Sequence, residues 1–123
     1  MEKSDVVTAL AALAQDNRLD VYRLLVQAGP QGLPAGQIAS ALKLAPNTLT
    51  FHFDRLRQAG LLTVRREGRS MIYAARYEAM NGLIAYLTEN CCAGAPAEHA
   101  TVGALQTGGR QTRQNPRLKG ASP

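Results

Sequence analysis

The stretch that most constrains how this chain can fold is residues 46–76, PNTLTFHFDRLRQAGLLTVRREGRSMIYAAR. Its first half repeats apolar residues at helical spacing, at Leu49, Phe53 and Leu56, and Gly60 is suited to end that helix. Its second half alternates apolar and polar residues on both sides of a Gly-containing turn, as two short antiparallel strands do. The stretch therefore predicts a helix followed directly by a β-hairpin.

Other segments on both sides of this stretch repeat apolar residues with the period of an α-helix. They span residues 5–14, 16–28, 34–42 and 77–91. Ser4 and Asp5 are predicted to cap the first, and Pro34 is suited to the first turn of the third. Aromatic residues make up 5% of the chain and Trp is absent, so the core has to consist mainly of aliphatic side chains. We predict a mainly α fold, a winged helix-turn-helix with about five helices and a two-stranded wing.

Positive charge is concentrated in the same stretch as the predicted hairpin. The formal net charge is +5, and six arginines but only two carboxylates fall between positions 46 and 76. A surface that binds DNA phosphates needs such clustering, because each Arg or Lys set against a phosphate releases condensed counterions. With the apolar residues of the fourth helix inward, Asn47, Arg55 and Gln58 face outward, as the second helix of a helix-turn-helix requires.

The sequence argues against an enzyme and against a membrane protein. A thiol oxidoreductase would need a cysteine at a helix N-terminus or a Cys-x-x-Cys motif, and neither is predicted here. There is also no glycine-rich phosphate loop. No run of about 18 apolar residues is present to span a bilayer, and MEKSDVV lacks the pattern of a signal peptide. We expect a cytoplasmic protein with no membrane partner and no enzymatic activity.

The segments DNRLDVYRLLVQAGPQGLPAGQIASAL, TLTFHFDRLRQAGLL, RREGRSMIY and YLTENCC together resemble the ArsR/SmtB family of bacterial metal-sensing winged-helix repressors. The resemblance implies a homodimer that binds a pseudo-palindromic, double-stranded DNA operator and releases it when a metal binds. It also implies that the first and last helices form the dimer interface. Their apolar stripes agree with this, since pairing two copies would cover them and set the recognition helices about 34 Å apart. The predicted interface residues are Val6, Leu10, Leu13, Met80, Leu83, Ile84 and Leu87.

The family usually has Ser-x-His in the middle of the fourth helix, where this chain has Thr50-Phe51-His52. The Thr50 hydroxyl is suited to a phosphate or a base edge, and Arg55 to a guanine or a phosphate. Phe51 is expected either to contact a thymine methyl group or to lie exposed. His52, at the edge of the apolar face, is expected either to be half-buried or to contact DNA. The residues predicted to bind DNA are Asn47, Thr48, Thr50, Phe51, His52, Arg55, Arg65, Arg66 and Arg69.

Cys91 and Cys92 are the only cysteines of the chain, and they follow each other where the last helix ends. In this place they resemble the arsenite-sensing variant of the family, so we predict that they are the metal ligands. Thiolates are soft ligands, which suits trivalent arsenic and antimony. Because neighbours on a regular helix point about 100° apart, the segment has to unwind near Cys92 for both sulfurs to reach one atom. Asn90 and Gly94 are suited to that.

A trigonal arsenite site needs a third ligand, which two cysteines do not supply. Hydroxide, a cellular thiol, His99 or a cysteine from the other subunit would have to complete it. Methylarsenite already carries a carbon on arsenic and needs only two sulfurs. The predicted inducer is therefore arsenite, methylarsenite or antimonite, with no organic cofactor. The alternatives are a redox-sensing or other soft-metal-responsive repressor of the same fold, or two buried cysteines that only fill space.

The composition changes after Cys92. Residues 93–123 are rich in Gly, Pro, Ala, Gln and Thr without a sustained period, and carry four basic residues and one acidic residue. We predict that residues 1–92 form the DNA-binding and dimerisation domain and that residues 93–123 are a flexible basic tail.

Overall fold

The computed structural model describes residues 1–94, in which six helices and three strands follow one another. The helices are α1 (Lys3–Leu13), α2 (Asp16–Ala28), α3 (Ala35–Leu42), α4 (Pro46–Gln58), α5 (Tyr77–Leu87) and α6 (Cys91–Gly94). The strands are β1 (Leu33–Pro34), β2 (Leu62–Glu67) and β3 (Ser70–Ala75). This order confirms the predicted winged helix-turn-helix, with α3 and α4 as its helix pair and β2–β3 as its wing.

The ends of the helices follow from the residues beside them. Pro46 is the first residue of α4, and Gly60, with φ +77°, follows its end, both as predicted. The start of α1 differs from the prediction. The Asp5 carboxylate accepts a hydrogen bond of 3.2 Å from the backbone amide of Glu2, so Glu2 precedes the helix, and Ser4 and Asp5 lie within its first turn.

The strands form one antiparallel sheet in the order β1-β3-β2, with β3 in the centre. The wing is paired from Leu62 with Ala75 at its base to Glu67 with Ser70 at its tip. Gly68 in the turn has φ +62°, which a tight hairpin connection requires. The strand β1 was not predicted, because its two residues are too few to show an alternating pattern.

The core lies where α2, α3 and α4 meet the sheet. Its largest fully buried side chains are Val21, Leu25, Ile38, Leu49, Leu56 and Leu61. Phe53 is buried as well, and its ring is stacked on that of Tyr73 in β3, with centroids 3.7 Å apart and planes 14° apart. The three predicted inner residues of α4 are therefore confirmed as core, and the opposite side of α4 faces outward.

The start of α5 is joined to two other elements. The Tyr77 hydroxyl donates a hydrogen bond of 2.9 Å to the carbonyl of Val26 at the end of α2. The Arg76 guanidinium donates to the Gly60 carbonyl at 3.4 Å and pairs with Glu78 at 3.2 Å. These bonds fix α5 on the same body as the helix pair, where it packs against α1.

Residues Met1–Leu87 form one compact unit, and a second unit begins at Thr88, of which residues 88–94 are described. The predicted domain boundary after Cys92 stays a prediction. The predicted tail lies outside the described residues except for Ala93 and Gly94. Within residues 1–94, none of the helices is both long and apolar enough to cross a membrane.

Replacing Gly32 with Ala is expected to destabilise the fold, because a Cβ there would collide with the backbone carbonyl of Tyr73 in the central strand. Gly32 also has φ +74°, a conformation that costs other residues about 1–2 kcal/mol. Gly68→Ala is the matched control, because Gly68 has φ +62° but an added methyl group there would meet no other part of the fold within 4 Å. Urea unfolding at one protomer concentration should give Gly32→Ala the larger loss, by more than about 1 kcal/mol. Equal losses would contradict the close contact.

Candidate nucleic-acid interface and thiol pair

The outward side of α4 carries mainly polar side chains. Its exposed residues are Asn47, Thr48, Thr50, Phe51, Asp54, Arg55, Arg57 and Gln58. Of these, Arg57 was missed by the sequence analysis, although a cation in the last turn is favoured by the helix dipole. The Thr50 hydroxyl donates to the carbonyl of Pro46 at 3.0 Å, which leaves its oxygen as an acceptor toward a ligand.

Phe51 and Arg55 form a pair on this outward side. Phe51 is 55% exposed, and the central guanidinium carbon of Arg55 lies 5.7 Å from the centroid of its ring. Residues four apart are neighbours on a helix surface, so this contact is local to α4. The ring thus restricts where the Arg55 guanidinium lies.

His52 lies inside the domain with 4% of its surface exposed, which agrees with the expectation of burial, and its contact with DNA stays a prediction. Neither ring nitrogen has a hydrogen-bond partner within residues 1–94. Burial lowers the pKa of His52 below its ordinary value, and the positive charge of Arg18 lowers it further. The imidazole is therefore neutral at pH 7 and belongs to the inner side of α4.

Arg18 was also missed by the sequence analysis, and it connects two helices. It is 9% exposed, and its Nε donates a hydrogen bond of 2.6 Å to the carbonyl of Ala12 in the last turn of α1. A cation is favourable at that end of a helix. The sequence did contain a signal for this role. Arg18 lies in the first turn of α2, where the helix dipole disfavours a cation that does not interact with another helix.

The three predicted wing arginines differ in how their side chains are held. Arg65 pairs with Glu67 at 2.8 Å and donates to the carbonyl of Gln31 at 2.9 Å, so it links the wing to the segment before β1. Arg66 donates to a carbonyl of the turn at 3.1 Å. Arg69, at the exposed tip, has no hydrogen bond or ion pair with the part of the chain that the structure describes. Arg66 and Arg69 are thus the better placed to meet phosphates.

The backbone leaves the helical conformation at the thiol pair. Asn90, Cys92 and Ala93 all have φ near +56°, in the left-handed region, and Cys92 has ψ 38°. The interruption expected near Cys92 is therefore present. Neither cysteine forms a disulfide, and Cys92 is exposed while Cys91 is partly buried.

The two thiols influence each other. Desolvation raises the pKa of Cys91 above its ordinary value, and the hydrogen bond and charge of Cys92 raise it further. Cys91 is therefore mainly a protonated thiol at pH 7. Within residues 1–94, no three His, Cys, Asp or Glu side chains form a cluster that could hold a metal ion. His99, considered as a third ligand, lies outside the described residues.

The residues predicted for a dimer interface fall into an inner and an outer group. Val6 and Leu83 are buried within the protomer, and their place in a dimer interface stays a prediction. Leu13 and Met80 are half-buried against that core. The large apolar side chains exposed on α1 and α5 are Val7, Leu10, Ile84 and Leu87, of which Val7 was not predicted.

Known proteins share this sequence pattern and this fold. Residues 13–65 match a family described as a helix-turn-helix domain. The transcriptional activator HlyU of Vibrio cholerae is 29% identical over 94 residues, which are 75% of this chain and 84% of that protein.

Solved structures agree with these matches. The structure of HlyU from Vibrio cholerae superposes with a TM-score of 0.57 at 32% identity, over 71% of this chain and 97% of that chain. An ArsR-like transcriptional regulator from Rhodococcus has a TM-score of 0.62 at 20% identity, over 89% of this chain and 96% of that one. A homodimeric winged helix-turn-helix DNA-binding domain from Mycobacterium bovis has a TM-score of 0.58 at 24% identity, over 71% and 81%. The last two likenesses show the shared fold.

Below about pH 6.5, the buried His52 is expected to make folding stability depend on pH. Because the pKa of His52 is lowered in the folded state, the unfolded chain binds the proton first as the pH falls. The contribution of His52 to the free energy of unfolding is therefore fully present above that pH and is lost as the pH falls below it. The slope from one such group is at most about 1.4 kcal/mol per pH unit. Urea unfolding of the wild type and of His52→Leu between about pH 7.5 and 5 measures it. The wild type should lose more stability, and parallel curves would contradict a buried neutral imidazole.

Proposed function

Because this chain belongs to the ArsR/SmtB family of winged-helix transcriptional regulators, we propose that it is a dimeric repressor that releases its operator when Cys91 and Cys92 bind a trivalent arsenical. Family membership accounts for a DNA-binding transcriptional regulator. Repression, the homodimer and the arsenical are the proposed parts. The observation that carries the choice of inducer is the pair of adjacent, interacting thiols at a break in the helical backbone.

The way basic groups flank the outward side of α4 supports DNA binding there. Arg55 and Arg57 lie in its last turn, and Arg66 and Arg69 lie on the wing that follows. A helix fits the major groove, which is about 12 Å wide, while arginines beside it bind phosphates and fix the register. In this arrangement α4 selects the sequence and the wing adds affinity that depends on salt.

The exposed apolar side chains of α1 and α5 support a homodimer. The two helices pack against each other, so Leu10 and Leu87 belong to neighbouring elements of one body. A second copy with the same exposed residues would remove them from water. The structurally similar domain from Mycobacterium bovis is homodimeric. Two-fold symmetry then presents two α4 helices to two half-sites.

The chemistry of the thiol pair supports an arsenical as inducer. Adjacent residues bring two sulfurs to one atom with little loop entropy to lose, and the left-handed backbone at Cys92 turns its thiol away from the helical direction. Thiolates are the soft ligands that trivalent arsenic prefers. The raised pKa of Cys91 means that the thiol is protonated before binding, and its proton leaves as water together with a hydroxyl group of the arsenical.

The number of cysteines favours methylarsenite. Two thiols replace the two hydroxyl groups of methylarsenous acid, and two water molecules leave, so that no third ligand is required. The chain has two cysteines in total. Arsenite and antimonite would need a further donor from outside this pair.

Arg55 offers a connection between the proposed dimer helices and the DNA surface. Together with Gln58 it lines an open groove of about 460 Å³ whose other side consists of α1 residues, including Val7 and Thr8. A shift of α1 in the dimer would therefore change the shape of the groove that Arg55 lines. A tenfold release of DNA requires only about 1.4 kcal/mol of coupling between inducer and operator.

Thiol oxidation is the second candidate, and the contact between Cys91 and Cys92 favours it. A disulfide between adjacent residues is strained, so oxidation would form either a bridge between subunits or a sulfenic acid. Operator release by hydrogen peroxide in metal-free buffer, without release by arsenicals, would select this candidate.

Arg55→Ala and Arg69→Ala are expected to weaken DNA binding in different ways. Loss of a guanine contact by Arg55 should lower the specific affinity by roughly 5- to 150-fold per site. Loss of a phosphate contact by Arg69 should weaken binding to all sequences alike and reduce the salt slope by about one. Fluorescence anisotropy of a labelled operator over a salt series separates the two effects. Unchanged affinity in both variants would contradict the proposed DNA surface.

Methylarsenite is expected to release the reduced dimer from its operator, and Cys91→Ser or Cys92→Ser should abolish release. The reason is that each variant loses one of the two required sulfurs. Without inducer, the operator affinity of each variant should stay at the wild-type level. Anisotropy titrations with methylarsenite, arsenite and antimonite give the order of potency, and excess small dithiol should reverse the effect. Release that persists in both variants would contradict the thiol site, and a lower potency of methylarsenite than of arsenite would contradict two-sulfur binding.

A further inference from the structure

We propose that Phe51 and Arg55 read one base step together, a T·A pair next to a G·C pair, in each half of the operator. This inference rests on the proposed DNA-binding role of α4 and adds the bases that α4 selects. Phe51 contacts the 5-methyl group of the thymine. Arg55 donates two hydrogen bonds to the guanine of the neighbouring pair.

Phe51 is a large apolar residue on the outward side of α4. Its ring is 55% exposed in the middle of α4, whereas Phe53, two residues later, is 2% exposed and holds the helix on the sheet. Single exposed apolar residues are common and mean little alone. Phe51, however, lies among the polar residues on the outward side of α4, which is proposed to enter the major groove. In the DNA-bound state, the edge of a base would therefore cover its ring.

Arg55 lies one helical turn after Phe51 and is held near its ring. Its guanidinium carbon lies 5.7 Å from the ring centroid of Phe51, within the range of a cation–π contact. Long side chains on helices lean toward the N-terminus, which directs Arg55 onto Phe51, one turn earlier. No ion pair joins Arg55 to another residue between positions 1 and 94. The aromatic ring thus orients a planar group whose N–H edges stay available.

The distance between the two groups sets the spacing of their targets. Base pairs are stacked about 3.4 Å apart along the duplex. Two side-chain groups 5.7 Å apart are closer than two such steps, so they reach neighbouring base pairs rather than distant ones. The pair therefore reads a step and not two independent positions.

The chemistry of the two groups selects the bases. In the major groove, only thymine presents a methyl group, which is the apolar contact suited to Phe51. Guanine presents two acceptors, O6 and N7, which match two parallel N–H donors of Arg55. Adenine and cytosine each place a donor amino group there, which arginine has no acceptor to meet.

A phosphate is the competing target for Arg55, and it makes a different prediction. A phosphate contact by Arg55 carries no sequence information and does not involve Phe51. If the two side chains act as a unit, the effects of altering the thymine, the guanine, Phe51 and Arg55 are not additive. Coupling between protein and base substitutions is therefore the deciding measurement.

The test uses the full-length dimer and a duplex that it selects from a random library. Each thymine is replaced singly by uracil, which keeps the base pairing and removes only the methyl group. At one position per half-site, uracil should weaken wild-type binding by about fourfold, the value of one methylene-sized apolar group. Phe51→Ala should bind both duplexes equally. At the neighbouring pair, replacing guanine with 7-deazaguanine should lower the affinity of the wild type for the duplex by about tenfold, the effect of losing one charged hydrogen bond. The same replacement should leave the affinity of Arg55→Ala unchanged.

Leu19→Ala is the matched control, because it also removes an exposed apolar side chain, but from α2. It should keep the full uracil effect. Specific binding in which no uracil position distinguishes the wild type from Phe51→Ala would overturn the inference and leave the DNA-binding role intact. An uncoupled 7-deazaguanine effect would overturn the part assigned to Arg55. Failure to select any sequence would overturn the DNA-binding role and the inference with it.

Discussion

The stack of Phe53 on Tyr73 joins α4 to the central strand of the sheet, and the proposed DNA-binding surface depends on it. The rings are 3.7 Å apart and nearly parallel, and Leu49 and Leu56 are buried on the same side of α4. Once that side is fixed, the helical period determines which residues face outward. The same stack places the arginine-bearing hairpin beside α4, because Tyr73 lies in β3, which pairs with β2 along its length. One packed contact therefore orients both the helix that is proposed to select bases and the strands that are proposed to approach the DNA backbone.

The parts of the fold that follow from local pattern could be predicted from the sequence, and those that depend on partners from other elements could not. The spacing of the inner residues of α4 and the alternation of the wing gave the right elements, whereas β1 is too short to have a pattern. His52 was assigned to two alternatives because burial of a polar ring depends on what packs over it, here with Arg18 of α2 nearby. A related ambiguity applies to Val6 and Leu83, which are buried within the protomer, since a helical stripe looks the same whether its own core or a second copy covers it.

The two proposed sites differ in the kind of backbone that carries them. The DNA surface lies on a regular helix with a buried inner side, which suits a surface that has to match a fixed groove. The thiols lie where successive residues adopt left-handed conformations, and such a conformation costs about 1 kcal/mol or more for a residue other than glycine. A trivalent arsenical that binds both sulfurs would stabilise one conformation of that segment. Because the segment follows directly after α5, the change occurs at the end of a helix proposed to lie in the dimer interface.

Reciprocal binding measurements test whether the thiol pair and the operator compete through two states of one dimer. The dissociation constant of methylarsenite is measured by calorimetry for the free dimer and for the dimer saturated with operator. Operator is expected to weaken methylarsenite binding by the same factor by which methylarsenite weakens operator binding, as linkage requires. Equal affinity of methylarsenite for the free and the DNA-bound dimer would contradict this competition, since a ligand that binds both states equally cannot shift the equilibrium between them.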